Sequence, residues 1–319
     1  MARIPLLALV IACLAVPSLG AAAESGDASQ TARLRITNGC DEAISIFYNI
    51  GDGGGSFSGT APANPTVLAA EGDFIDYAIP DIGLAATRFW PGYDCNADGV
   101  CSIGSSGGPG LACSSDGCAP PVDSKFEGTF GCLPSVNPDD CQKNPSGPGN
   151  LTTEDNWDTS MVDGYTLPYQ VEVKGTCGTG PENGVIDCTG LKWSDCPTDE
   201  DLSDNGTYPS LTDVDLVLTD PGTSDTAGCY SPCSKLTMNN WGNSPTWQPS
   251  DPQAAPYCCA GTYGTSSACN AGPVPSTTYV QTIHKDCPQT YAYAYDDGVG
   301  LWTCQAGQAV YEVTFYCPQ

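Results

Sequence analysis

The sequence predicts a mainly β protein, an antiparallel β-sandwich or flattened barrel with disulfide-rich loop lobes. Three observations carry this. Short alternating stretches recur at close intervals between Gly, Pro, Asn and Asp turns. The 37 Gly and 27 Pro leave little room for long helices. The 19 Cys suit a chain of few regular elements pinned by bridges.

The strand candidates run along most of the chain. Residues 34–38 and 44–48 alternate around a turn at Gly39-Cys40-Asp41, and 67–69, 74–79 and 86–90 continue the pattern. Later candidates are 125–130, 167–173 and 310–316. Cys95, Cys101, Cys113 and Cys118 crowd a Gly/Ser-rich loop, so a disulfide loop is expected at about 92–121. Residues 177–287 hold many cysteines and few strand-like runs, which predicts a disulfide-held lobe with at most a short helix. The acidic Pro/Thr stretches 195–228 and 239–256 read as surface insertions, and no internal repeat is present.

Arg3, the apolar run 4–16 and the small residues Ala21-Ala22-Ala23 read as a signal peptide over 1–23. A short tail, 24–33, would then precede one domain over 34–319. The apolar run is short for a bilayer span, and no later segment is apolar enough for one. The expectation is a secreted protein without a membrane span. Removing the signal removes Cys13 and leaves an even eighteen cysteines, as an oxidising compartment would require. Asn150 and Asn205 open N-x-[ST] sequons in turn-rich stretches and are the expected glycosylation sites.

Ten Lys and Arg stand against 37 Asp and Glu, a net charge of -27. Such a field repels nucleic acid and anionic membrane surfaces. A single His, His284, removes multi-histidine metal sites and leaves little room for Ser-His chemistry; it reads as a surface or interface residue. No metal or other cofactor is expected. Asp94-Cys95-Asn96-Ala97-Asp98-Gly99 opens like a calcium loop, but Ser105 stands where the closing Glu belongs, so a disulfide-pinned turn is the better reading.

Several segments resemble the thaumatin-like protein family, the pathogenesis-related family 5 type. Thr87-Arg88-Phe89-Trp90-Pro91-Gly92-Tyr93-Asp94-Cys95 resembles its xRxWGRTxC segment. Asp158-Thr159-Ser160-Met161-Val162-Asp163-Gly164-Tyr165 with Leu167-Pro168 is similar to DxSLVDGFNxP, and Tyr257-Cys258-Cys259 to YCC. Cys287-Pro288 through Tyr291, Tyr293, Asp296-Asp297 and Cys304 resembles CPxAYSYxxDDxxSxFTC, and Val313-Thr314-Phe315-Tyr316-Cys317-Pro318 resembles VxFCP. The likeness spans 34–318 and takes in sixteen cysteines at family positions.

The resemblance implies a β-sandwich core flanked by a disulfide-rich lobe and a smaller disulfide loop. It also implies the pairs Cys40–Cys317, Cys95–Cys101, Cys113–Cys118, Cys177–Cys304, Cys188–Cys287, Cys196–Cys229, Cys233–Cys258 and Cys259–Cys269. Cys132 and Cys141 have no family counterpart and are expected to bridge each other.

Family members carry one Arg, one Glu and three Asp in a cleft. The Arg falls on Arg88, two Asp on Asp158 and Asp163, and the third on Asp296 or Asp297, with Asp296 preferred. The Glu falls on Glu127 only if one residue is inserted after Pro121; otherwise Phe126 takes its place, and one residue on a strand decides which face a side chain occupies. Asp158 and Asp163 are five apart, so they share a cleft only if the chain bends between them.

The resemblance implies a secreted defence or antifungal protein, monomeric, whose acidic cleft binds β-1,3-glucan or another cell-wall polysaccharide. Trp90, Trp157, Tyr165 and Tyr295 are candidate platforms for sugar rings. One alternative is an endo-1,3-β-glucanase with Glu127 as acid and Asp158 or Asp163 as base or nucleophile, Arg88 keeping a partner ionised. Another is an inhibitor of hydrolases such as xylanase. The bland readings are an Arg88–Asp163 ion pair, a turn at Asp296-Asp297 and aromatics that serve only the core.

Overall fold

The computed structural model describes residues 32–318 apart from 52–54, 82, 109, 132–153 and 245–246. The expected signal segment, Cys132, Cys141 and Asn150 lie outside the described residues. Fourteen strands are described: β1 Leu34–Asn38, β2 Ile44–Asn49, β3 Thr66–Leu68, β4 Phe74–Tyr77, β5 Leu84–Cys95, β6 Cys101–Ile103, β7 Lys125–Phe130, β8 Glu154–Ser160, β9 Gly164–Tyr165, β10 Tyr169–Thr179, β11 Val185–Asp187, β12 Val217–Thr219, β13 Thr226–Tyr230 and β14 Trp302–Phe315. Five short helices lie between β13 and β14: α1 Pro232–Thr237, α2 Ala255–Cys258, α3 Ser266–Asn270, α4 Thr278–Asp286 and α5 Asp297–Gly300.

Eleven strands form one strongly curled sheet in the order β11-β10-β14-β8-β7-β5-β2-β3, with β1 joining β14 to β4 and β6 added to β5. The long β14 makes this possible. Its first residues pair with β8 and its last with β1, while β10 runs along the other edge. One strand thus belongs to both layers of a flattened barrel. The pairing is antiparallel throughout except for β1 and β14, which run parallel, so the first and last strands lie side by side. Cys40–Cys317 ties them just beyond the ladder.

The alternation in β7 shows how the sequence chooses its faces. Phe126 and Phe130 point inward and are fully buried, in ring contact with Phe89, Trp157 and Tyr311. A Cβ on Gly128, between them, would stand 2.7 Å from the Phe130 ring. Lys125, Glu127 and Thr129 take the other face. That outer face is covered at one end by the disulfide loop. There Trp90 stacks on Phe47 and its indole donates to the Gly104 carbonyl at 2.9 Å. At the other end the face is open.

All eight disulfides implied by the resemblance are formed. The Asp94–Gly99 segment is a disulfide-pinned turn, in which the Asn96 carboxamide accepts from the amides of Asp98 and Val100 at 2.9 and 3.1 Å. The lobe carries more helix than its composition suggests, and a second small sheet, β12-β13-β9.

The stretch 195–228 departs from the expectation of a surface insertion. Leu202, Leu211, Leu216, Leu218 and Ala227 are core residues, spaced among the exposed acids. Glu200 is also buried. Its carboxylate accepts from the amides of Thr278 and Tyr279 at 2.9 and 2.8 Å and so caps α4, where the helix dipole favours negative charge. Residues 239–256 likewise bury Ala254 and Ala255.

Glu200→Ala strands two amide donors at the start of α4. It is expected to lower the unfolding free energy by about 2–3 kcal/mol, seen as a lower guanidinium midpoint at unchanged slope. A midpoint equal to that of the wild type would mean the capping bonds contribute nothing.

Candidate functional site

The open end of the sheet's outer face holds the site. Register places Arg88 of β5 opposite Glu127 of β7, and Glu127 opposite Asp158 of β8. Residues directly opposite on neighbouring strands share a face, so the three side chains form one row across three strands. Arg88 Nε lies 3.9 Å from Glu127 Oε1. The register also settles the place of the Glu. Phe126 sits in the core, opposite Phe89 and Thr159, and Glu127 faces out.

A second row lies beside the first, formed by Lys125 and Ser160. Beyond Ser160 the chain turns, closed by the Gly164 amide donating to the Met161 carbonyl at 3.1 Å. The turn brings Asp163 back over Lys125, and their side chains form an ion pair. Gly164 is required there. Its φ is +139°, and a Cβ would meet the Cys229 carbonyl oxygen at 2.2 Å. This is the bend that lets Asp158 and Asp163 share a pocket despite their odd spacing.

The far wall comes from the segment after Cys287. Tyr291 is bound to the end of β8 by its amide donating to the Thr159 carbonyl at 3.0 Å and its carbonyl accepting from Met161 N at 2.8 Å. Its hydroxyl donates to Asp297 Oδ1 at 2.7 Å. Together Arg88, Lys125, Glu127, Asp158, Asp163 and Tyr291 line an open pocket of about 290 Å³, with Ser160, Val162 and Ala294 filling the gaps.

Charge in the pocket is unevenly partnered. Burial first, then Glu127 and more weakly Asp297, push the Asp158 carboxyl well above the usual range, with Lys125 opposing them. Burial works against the Lys125 ammonium, but Asp163, Glu127 and Asp123 more than offset it, and its pKa lies above the ordinary lysine value. Asp123 lies beneath the pocket, buried, and accepts from Ser106 Oγ at 2.6 Å. Burial pushes its carboxyl up to about 6.

Of the residues expected from sequence, the pocket unites Arg88, Glu127, Asp158 and Asp163. Asp296 is not among them. Its side chain is 3% exposed and turned inward, accepting from Ala292 N at 3.0 Å and lying 2.8 Å from His284 Nε2. His284 is thus tied to Asp296. The neighbouring Asp297, held by Tyr291, is the carboxylate that acts on Asp158. Nor do most of the candidate platforms reach the pocket. Trp90, Trp157 and Tyr165 are core residues. Tyr295 is 36% exposed, next in sequence to the pocket residue Ala294, with its hydroxyl donating to the Gly264 carbonyl at 3.1 Å.

Lys125 and Tyr291 were not anticipated as pocket residues. Lys125 stands two before Glu127 on a strand, and period-two reasoning from Glu127 alone would have found it. Two roomier grooves, about 420 and 350 Å³, lie beside the disulfide loop, lined by Asp94, Ser102, Asp220 and Thr223. None of their described lining residues is cationic, so neither opposes charges as the pocket does. Asn205 is exposed in a turn. Among the described residues no helix is long and apolar enough to cross a membrane.

Comparisons with known proteins bear on the family of the chain. A family model described as the Thaumatin family matches residues 146–318. Thaumatin-like protein 1 of Pyrus pyrifolia is 28% identical over 295 residues, covering 90% of this chain and 91% of its own. A glucan endo-1,3-beta-glucosidase of Prunus avium is 30% identical over 257 residues, covering 79% of this chain and 78% of its own. Among solved structures, the thaumatin-like xylanase inhibitor TLXI aligns over 90% of this chain and 100% of its own, with a TM-score of 0.33 and 13% identity.

The buried Asp123 makes stability depend on pH in a defined direction. Its proton is held more tightly in the folded chain, so its stabilising contribution is complete below the ordinary 3.8 and is lost as pH rises through about 6. Asp123→Asn keeps the acceptor for Ser106 and removes the titration. Between about pH 4.5 and 7.5 the stability of the variant relative to wild type should improve by about 2 kcal/mol, read from denaturation curves. A difference that stays constant with pH would show that Asp123 does not carry this proton.

Proposed function

The chain belongs to the thaumatin family, and from that premise we propose that its acidic pocket binds β-1,3-glucan or a related neutral cell-wall polysaccharide. The observation that carries the reading is the Arg88–Glu127–Asp158 row across β5, β7 and β8. Carboxylates accept hydrogen bonds from sugar hydroxyls, and a guanidinium donates to ring and hydroxyl oxygens. Tyr291, Val162 and Ala294 offer apolar surface to the faces of a pyranose. The pocket is open, as an elongated polymer requires. With a net charge of -27 the protein disfavours polyanionic glycans.

We read the protein as exported and defensive, acting as a monomer. The 1–23 segment and eight bridges support export, and Asn205 is presented for glycosylation. Hydrolysis is the second reading. It is favoured by Glu127 and Asp158 lying side by side with Asp158 held toward its protonated form, so that Asp158 would serve as the acid and Glu127 as its partner, the reverse of the roles expected from sequence. The cherry relative named as a glucosidase supports it too.

Co-sedimentation with insoluble β-1,3-glucan tests the first reading. Arg88→Ala and Glu127→Gln should each weaken binding about tenfold or more, the loss of one charged hydrogen bond. Binding unaffected by both would remove the pocket from the interaction. Reducing-sugar release tests the second, and Glu127→Gln should abolish it with the fold intact.

A further inference from the structure

Lys125 is a buried ammonium on the floor of a pocket that holds three carboxyl groups and one other cation, Arg88. Its side chain is 4% exposed, a position where lysine is rare without a purpose or a partner. The groups that face it come from every neighbouring element. Glu127 and Asp123 lie along its own chain, Asp158 and Ser160 on β8, and Asp163 in the turn beyond. Tyr291 stands on the far wall with its hydroxyl bound to Asp297, and Arg88 lies on β5 past Glu127.

The partners of the three pocket carboxyls differ. Glu127 has Arg88 and Asp163 has Lys125. Asp158 lies in register with Glu127, and no hydrogen bond or ion pair from a described side chain reaches its carboxyl. Two cations therefore serve three carboxyls that compete for them.

We infer that Lys125 is a positioning residue that divides the pocket's charge, fixing Asp163 as a carboxylate and leaving Asp158 to carry the proton. With Asp158 protonated, the two cations among the lining groups balance Glu127 and Asp163. The pocket then offers a carboxyl that donates a hydrogen bond beside carboxylates that accept, a pattern suited to the mixed donors and acceptors of an uncharged sugar. The raised pKa of Asp158 has the sign this division requires. The choice of ligand rests on the glucan reading; the division of charge does not.

Carboxyl ¹³C titration of the full protein, with binding of a soluble β-1,3-gluco-oligosaccharide followed across pH, tests both parts. In the wild type the Asp158 carboxyl should lose its proton well above the usual carboxylate range. In Lys125→Met, which removes the cation opposing that rise, the Asp158 midpoint should climb by about one pH unit or more, and Lys125→Arg should restore it. Oligosaccharide affinity should fall about tenfold as pH passes through the Asp158 midpoint, and Asp158→Asn, which keeps a donor, should flatten that dependence. An Asp158 midpoint inside the usual carboxylate range in the wild type overturns the inference, and so does one unmoved in Lys125→Met. Should Lys125→Met fail to fold, the wild-type Asp158 midpoint alone decides. A raised Asp158 midpoint without any glucan binding leaves the charge division standing and overturns the glucan reading.

Discussion

Three adjacent strands, β5, β7 and β8, are held in one register by their inward faces. Phe89, Phe126 and Trp157 pack together with Phe130 and Tyr311, and each is buried. A slip of one residue in β7 would drive Glu127 into that aromatic cluster and push Phe126 into solvent. The penalty for burying an unpaired carboxylate in such a place is several kcal/mol or more. The core therefore fixes the order of the charged side chains on the opposite face, although it touches none of them. The pocket is the back of the hydrophobic core, aligned by it.

The other walls are held differently. Asp163 depends on a turn whose Gly164 packs against β13 of the small lobe sheet, and Tyr291 depends on backbone bonds to the end of β8. Neither contact is large. Each is anchored by bridges nearby: Cys196–Cys229 holds β13, and Cys188–Cys287 holds the chain just before Tyr291. Disulfides act chiefly by restricting the unfolded chain, so they suit a lobe whose short helices could not persist alone. The sheet supplies rigidity through packing and the lobe through covalent ties, and the pocket lies where the two meet.

Much of this was legible in the sequence. Alternation alone located β1, β2, β4 and β7 within a residue or two, because strands with one buried face must alternate. Arg88, Asp158 and Asp163 could be placed from the segments resembling a known family. What sequence could not resolve was which of two adjacent residues faces the pocket. Glu127 against Phe126 was decided by the ring cluster, and Asp296 is held away from the pocket by its inward contacts with His284 and the Ala292 amide. The aromatics misled for a related reason. Trp90, Trp157 and Tyr165 stand near the acidic residues along the chain but are buried, Trp90 beneath the disulfide loop and the other two in the core, where their polar atoms find Gly104, Cys304 and Lys192. The acidic composition of 195–228 hid its core leucines, since exposed acids dominate any average over that stretch.

The place of β14 has a consequence for biosynthesis. It is the hydrogen-bonding neighbour of β10, β8 and β1 together, and it occupies residues 302–315. Until a ribosome has released that stretch, β1 lacks one of its two partners and the barrel stands open along its seam. Contacts joining Leu34 to Tyr311 are about as distant in the chain as contacts can be, and such topologies assemble slowly. A nascent chain of this kind cannot close its barrel on the strands made first until residues 302–315 are free to pair.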